Sequence, residues 1–322
     1  MMIYSNRKYL TISSLLLIFS VAVAGCTNTS NSSYEKKSPR NNIQSKEENL
    51  TLAEAEAQSN NLKKAIFYYI QALEFDKDDI EILCKIGHIQ NSLDSPELAI
   101  RAFKQALIVK PDHVPALAQM GIYYFEYKQM EKAKDALERT VKLDQQRLHI
   151  NVSFERFIAL DSESPLLAYN ALAVLSDLSR RHIYAREIFN LLMPISENLS
   201  LIYTNMGYSY YLTSNYTLAE NFYTKALDIN ADFERAKLNL GLIYVRTGQY
   251  NQALQLFKQV MSTAQAYNDI GYFLLLDGRY QEAEYFLQNA IDLSPSYIER
   301  SHINLENVQL YLHDAKFLPT SR

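Results

Sequence analysis

Alanine returns along this chain at Ala65, Ala99, Ala133, Ala185, Ala219, Ala253 and Ala283, with spacings of 34, 34, 52, 34, 34 and 30 residues. Twelve positions before each stands another small residue: Ala53, Gly87, Gly121, Ala173, Gly207, Gly241 or Gly271. A double coincidence over seven units points to a stack of near-identical pieces, not to one irregular core. In the last unit, AQAYNDIGYFLLLDGRYQEAEYFLQNAIDLSPSY at 264–297, Ile270, Leu274 and Leu287 fall at helical offsets around the small residues. The pattern predicts two short antiparallel helices, close together because the small residue of the first faces the alanine of the second. Gly278, free to adopt positive φ, ends the first helix and opens the turn.

Each unit resembles a tetratricopeptide repeat (TPR), which implies an all-α solenoid. Seven units follow at 46–79, 80–113, 114–147, 166–199, 200–233, 234–263 and 264–297. They divide into a block of three repeats (46–147) and a block of four (166–297). The 18 residues between, LHINVSFERFIALDSESP at 148–165, either add a helix around Phe154–Leu160, capped by Ser153 or Asn151, or extend the helix before them. The unit at 234–263 lacks four residues after Met261, about one helical turn, so its second helix should be short. An amphipathic stretch at 298–314, within a capping helix and tail at 298–322, should cover the last apolar face.

The beginning of the chain reads differently. Arg7 and Lys8 precede an apolar run from Leu10 to Ala24, and Gly25 and Cys26 follow. This is the pattern of a secretory signal over 1–25, and Val23-Ala24-Gly25-Cys26 is similar to the lipobox of bacterial lipoproteins. That resemblance implies cleavage before Cys26 and acylation of its sulfur and amino group, giving a palmitate-type anchor that several chains make stable. Thr27 after the cysteine, by the same resemblance, favours the outer membrane, with the body facing the periplasm. Residues 26–45 supply the lipidated cysteine and an Asn- and Ser-rich tether, able to hold the body roughly 20–25 Å from its lipid.

Composition narrows the function. Losing Arg7 and Lys8 moves the formal charge from −4 to about −6, which argues against binding nucleic acid through its phosphates. Cys84 is the one other cysteine, so no internal disulfide is expected in the mature chain. Five of the eight glycines are packing positions, Gly248 and Gly278 lie in turns, and Gly25 is in the leader, which leaves none for a phosphate-cradling loop. His88, His113, His149, His182, His302 and His313 are scattered without metal-ligand spacing. Glu282 and Glu284 flank Ala283 but point to different helix faces. The expectation is a protein without enzymatic activity, cofactor, metal or small-molecule substrate.

Function then falls to the surface that the repeats share. In TPR proteins the first helices line the concave face, through positions one, four, eight and eleven after each unit's start. Carried onto the last four units, that face comprises Asn170, Val174, Asp177, Thr204, Tyr208, Tyr211, Leu238, Leu242, Val245, Asn268, Tyr272 and Leu275. Such a groove suits an extended peptide or the apolar stripe of a helix. The first block offers Glu47, Glu54, Glu81, His88 and Asn91, a more acidic face. Tyr216, Tyr250 and Tyr280 recur just before the second helices, where rings should pack between helices with their hydroxyls in water.

A narrower resemblance lies at the end of the chain. The stretch MSTAQAYNDIGYFLLLDGRYQEAEYFLQNAIDLSPSYIERSHINLENV resembles, behind a lipobox, tether and repeats, the TadD-type lipoproteins of tight-adherence (Flp) pilus systems. It implies an outer-membrane-anchored assembly factor whose partners are a secretin or other pilus components. The alternatives are a type IV pilotin-like lipoprotein and a cell-envelope scaffold that recruits murein enzymes or proteases.

Overall fold

The computed structural model describes residues 45–148, 157–294 and 299–317. Among these there are fifteen α-helices and no strand. Seven antiparallel hairpins come first: α1 (Lys46–Gln58) with α2 (Leu62–Leu73), α3 (Ile80–Ser92) with α4 (Pro96–Val109), and α5 (Val114–Glu126) with α6 (Met130–Leu148). Then come α7 (Leu166–Leu178) with α8 (His182–Leu192), α9 (Leu199–Leu212) with α10 (Tyr216–Ile229), α11 (Glu234–Arg246) with α12 (Tyr250–Phe257), and α13 (Thr263–Leu276) with α14 (Tyr280–Asp292). A closing helix, α15 (Glu299–Phe317), follows. The fold is the expected TPR solenoid.

Every hairpin turns in the same way. The residue five places before each repeat alanine has a left-handed backbone: Asn60, Asp94, Lys128, Arg180, Ser214, Gly248 and Gly278, with φ between 53° and 78°. The next amide donates to the carbonyl five residues back, as from Arg181 N to Ser176 O at 2.8 Å and from Gln249 N to Tyr244 O at 2.7 Å. These are Schellman turns, which satisfy carbonyls that a helix end leaves over.

The close approach of the two helices has a different partner from the one expected. A Cβ added to Gly87 would come within 2.7 Å of the Phe103 ring, to Gly207 within 2.7 Å of Tyr223, and to Gly271 within 2.6 Å of Leu287. Each of these is sixteen places on, one turn beyond the alanine. Tyr69, Phe103, Leu137, Phe189, Tyr223, Phe257 and Leu287 hold this position, all buried. The glycine makes room for a large side chain, and the alanine lets the backbones close over it.

Repeat alanines and their large partners continue from unit to unit as core clusters. From α5 onward consecutive first helices also touch one another, α5 with α7, α7 with α9, α9 with α11 and α11 with α13, whereas no such packing joins consecutive second helices among the described residues. First helices that converge while second helices fan apart form an inner wall.

At the insertion, α6 runs 19 residues to Leu148, and residues 157–160 are not helical. The first half of the expected Phe154–Leu160 helix, with Asn151 and Ser153, lies outside the described residues, and its second half is not helical; of the alternative, an extension of the preceding helix, the described residues include only Leu148. Phe157 and Leu160 pack against the core of α6 to α9. α12 has only 8 residues, as its missing turn requires, yet Ala253 and Phe257 remain buried. α15 docks on α13 and α14 through buried Ser301, Leu305 and Val308.

Candidate partner-binding groove

The inner wall of the last four repeats is built from α7, α9, α11 and α13. Val174, Tyr208, Tyr211, Leu238, Leu242, Tyr272 and Leu275 are half-buried on it. Tyr208 and Tyr211 stack with ring centres 6.0 Å apart. Burial raises both phenols above their ordinary pKa, so the hydroxyls are neutral donors. The Arg246 Nε donates to the Tyr211 hydroxyl at 3.1 Å, and its Nη1 to Asp277 of the next repeat, tying three repeats together.

Polar side chains form a ladder along the same wall. Asn205 donates from Nδ2 to Asn170 Oδ1 at 2.8 Å and accepts at Oδ1 from Arg235 Nη2 at 2.7 Å. Arg235 occupies the first of the four inner-face positions in its unit, a register that the candidate set left empty in the last block. Leu167, 68% exposed, stands at the same position of the fourth unit.

Four of the twelve candidates are not free to line a groove. Thr204 is fully buried and donates to the Ser200 carbonyl at 2.7 Å. Val245 is fully buried in the core around Phe257 and Ile270. Asp177, 3% exposed, accepts from Ser209 Oγ at 2.9 Å and sits 2.9 Å from His182 Nδ1. Burial pushes its carboxyl pKa up, and the His182 and Ser209 contacts pull it only partly back. Asn268 accepts from Ser301 Oγ at 3.0 Å and Asn304 Nδ2 at 3.3 Å of α15, so it is where the closing helix docks. Helix offsets locate a face, but a closing helix and the twist between repeats decide which positions on it stay open. Asn170 keeps its place as the end of the amide ladder.

Ser209, Asp177 and His182 meet, but Ser209 donates to the carboxylate and not to the imidazole, so the three do not form the serine-to-imidazole relay of a nucleophilic triad. Among the described residues no three His, Cys, Asp or Glu side chains gather as metal ligands. Burial raises the Cys84 thiol to about 11, which keeps it protonated at 3.6 Å from His113 Nδ1. The Tyr250 hydroxyl is not left to water: it donates to Glu282 and accepts from Arg279.

In the first block the expected acidic face is partly neutralised. Glu54 pairs with Lys85 at 2.6 Å, while Glu47 and Glu81 are exposed. His88 lies edge-on to Phe103 with ring centres 5.3 Å apart, and Asn91 is exposed.

Tetratricopeptide-repeat family models match residues 49–79, 80–113, 212–270 and 263–294. This chain carries TPR repeats. A tetratricopeptide repeat protein of Parabacteroides merdae has the same fold, with a TM-score of 0.54 at 14% identity over 82% of this chain and 98% of that one. In sequence the solenoid is 25% identical to anaphase-promoting complex subunit 3 of Schizosaccharomyces pombe over 166 residues, 46% of this chain and 25% of that protein. It is 33% identical to the human intraflagellar transport protein 88 homolog over 147 residues, 42% of this chain and 17% of that one. The chain thus spans well under half the length of the curated relatives it matches. TPR solenoids of this kind are protein-interaction scaffolds.

Proposed function

We propose that this protein is a lipid-anchored assembly factor of the bacterial outer membrane, facing the periplasm and serving a tight-adherence (Flp) pilus or related secretion system. The observation that carries the reading is the order of parts along one chain: Arg7-Lys8, an apolar run, Cys26, a polar tether and then a solenoid. A body on a short tether at a membrane acts by holding something there. The half-buried side chains of Tyr208, Leu242 and Tyr272 give it an apolar inner surface for a protein partner. The likeness of residues 260–308 to TadD-type lipoproteins selects the pilus among the systems such a factor serves. The name of the fission-yeast relative, a subunit of a multiprotein complex, agrees with a role in assembly.

The test is a crosslinking pull-down from membranes of the native host, comparing the wild type with a Tyr208→Glu, Leu242→Glu double variant that remains folded. A secretin or another pilus component should come down with the wild type and be lost from the variant. Recovery of murein enzymes or proteases alone would replace the pilus by the envelope-scaffold reading. Alongside it, incorporation of labelled palmitate that depends on Cys26 checks the anchor; an unlabelled chain would remove it.

A further inference from the structure

Of the arginines that bridge repeats or bind the insertion, five hold a carboxylate: Arg139 with Asp112, Arg147 with Asp161, Arg181 with Glu138, Arg246 with Asp277 and Arg279 with Glu282. A sixth, Arg186, donates to Ser209 of the next repeat and has the buried Asp177 carboxyl as its electrostatic neighbour. Arg235 differs. Its Nη2 is held by the Asn205 amide at 2.7 Å, and among the described residues no carboxylate pairs with it. Asp232 is bonded to Lys237, and Glu234, next to Arg235 in sequence, is exposed without an ion pair to it.

The guanidinium is also oriented. Asn205 spends its amide nitrogen on Asn170 and its oxygen on Arg235, so three repeats fix the direction in which one Arg235 nitrogen points. A guanidinium has five N–H donors, and one is committed here. The phenols of Tyr208 and Tyr223 are its electrostatic neighbours, and partial desolvation pulls its pKa below the usual value although the side chain still reaches solvent. A cation without a counter-ion, held in place beside an apolar groove, is complementary to an anion on whatever occupies the groove.

We propose that Arg235, beside Tyr208, receives a side-chain carboxylate from an internal and otherwise apolar segment of the partner protein. This rests on the groove being the binding surface. An internal residue is favoured over a chain terminus because the wall continues on both sides of Arg235, through Tyr208 and Val174 in one direction and Tyr272 and Leu275 in the other. In the same register the neighbouring repeats present Leu167, Leu201 and Gln265, which offer no second cation for a terminal carboxylate.

The test measures fluorescence anisotropy with the full-length mature chain in detergent and three acetylated twelve-residue peptides of Leu, Val, Tyr and Ser. One has a central Glu and an amidated end, one a central Gln and an amidated end, and one a central Gln and a free carboxyl end. The Glu peptide should bind at least about tenfold more tightly than its Gln twin, as expected of a charge-assisted hydrogen bond. That gap should close in Arg235→Gln while the Gln peptide binds as before, and reopen in Arg235→Lys. Equal binding of the two amidated peptides to the wild type, or a gap that survives Arg235→Gln, overturns the inference while leaving the groove. Preference for the free carboxyl end overturns the internal position. If none of the three binds, the groove itself is wrong and the inference falls with it.

Discussion

The hydroxyl of Tyr169 donates to Oδ2 of Asp144 at 2.9 Å, and neither side chain is more than 1% exposed. Around this bond a polar network fastens the insertion to the solenoid. Gln145 donates to the same hydroxyl at 2.9 Å and accepts from the Ile158 amide at 2.8 Å. Arg147 bonds Asp144 on one side and grips both oxygens of Asp161 on the other, each at 2.7 Å. That grip holds the Asp161 carboxyl well below the usual carboxylate range and raises Arg147 above its own. Tyr169→Phe removes one hydroxyl and leaves a buried carboxylate oxygen and a buried amide short of a partner. It should cost about 1–3 kcal/mol in urea unfolding, with little change in slope.

This network was not legible beforehand. DQQR at 144–147 reads as a solvated helix end, and nothing in the spacing says that residues 157–164 return to cover it. The repeats themselves were legible because close helix packing leaves few choices at two positions twelve apart, seven times over. The third member of that packing, the large residue sixteen places on, varies among Tyr, Phe and Leu and so escaped a search for identity. Arg235 escaped for a different reason: the inner-face offsets include its position, but the candidate residues all lie at the other three offsets. Thr204 and Val245 show the opposite error, since the offsets place them on the inner face and packing between repeats seals them.

Glycine in the first helix should be hard to replace. In Gly207→Ala the new methyl meets the Tyr223 ring at 2.7 Å and the Ala219 carbonyl at 3.1 Å. Better helix propensity returns about 1 kcal/mol, and forcing the helices apart costs about 1–3 kcal/mol. A net loss of thermal stability is expected, by calorimetry, and an unchanged or raised Tm would refute the packing account.

The turns predict the reverse. Lys128, Arg180 and Ser214 carry side chains at φ of 58° to 61°, where only Gly248 and Gly278 in this register avoid the steric penalty. Arg180→Gly gives up about 0.5–1 kcal/mol of chain entropy and relieves about 1–2 kcal/mol of left-handed strain. Unfolding experiments should find a gain of up to about 1 kcal/mol.

Acid should weaken the first block through His113. Burial lowers its pKa from 6.5 in the fold, so the folded chain takes up this proton less readily than the unfolded one. The sign follows: the contribution is fully present above about pH 6.5 and is lost as pH falls through the folded value. His113→Asn should flatten this part of the decline in denaturation midpoint, and an unchanged pH profile would assign the decline elsewhere.

The central claim is that the inner wall of α7, α9, α11 and α13 takes the partner. A photoreactive benzoylphenylalanine placed at Leu242, half-buried on that wall, can be compared with one at Ile183, 72% exposed on α8. Irradiation in the native host should give a discrete adduct from Leu242 and none from Ile183. An adduct from Ile183 with none from Leu242 would move the binding surface to the second helices and contradict the account.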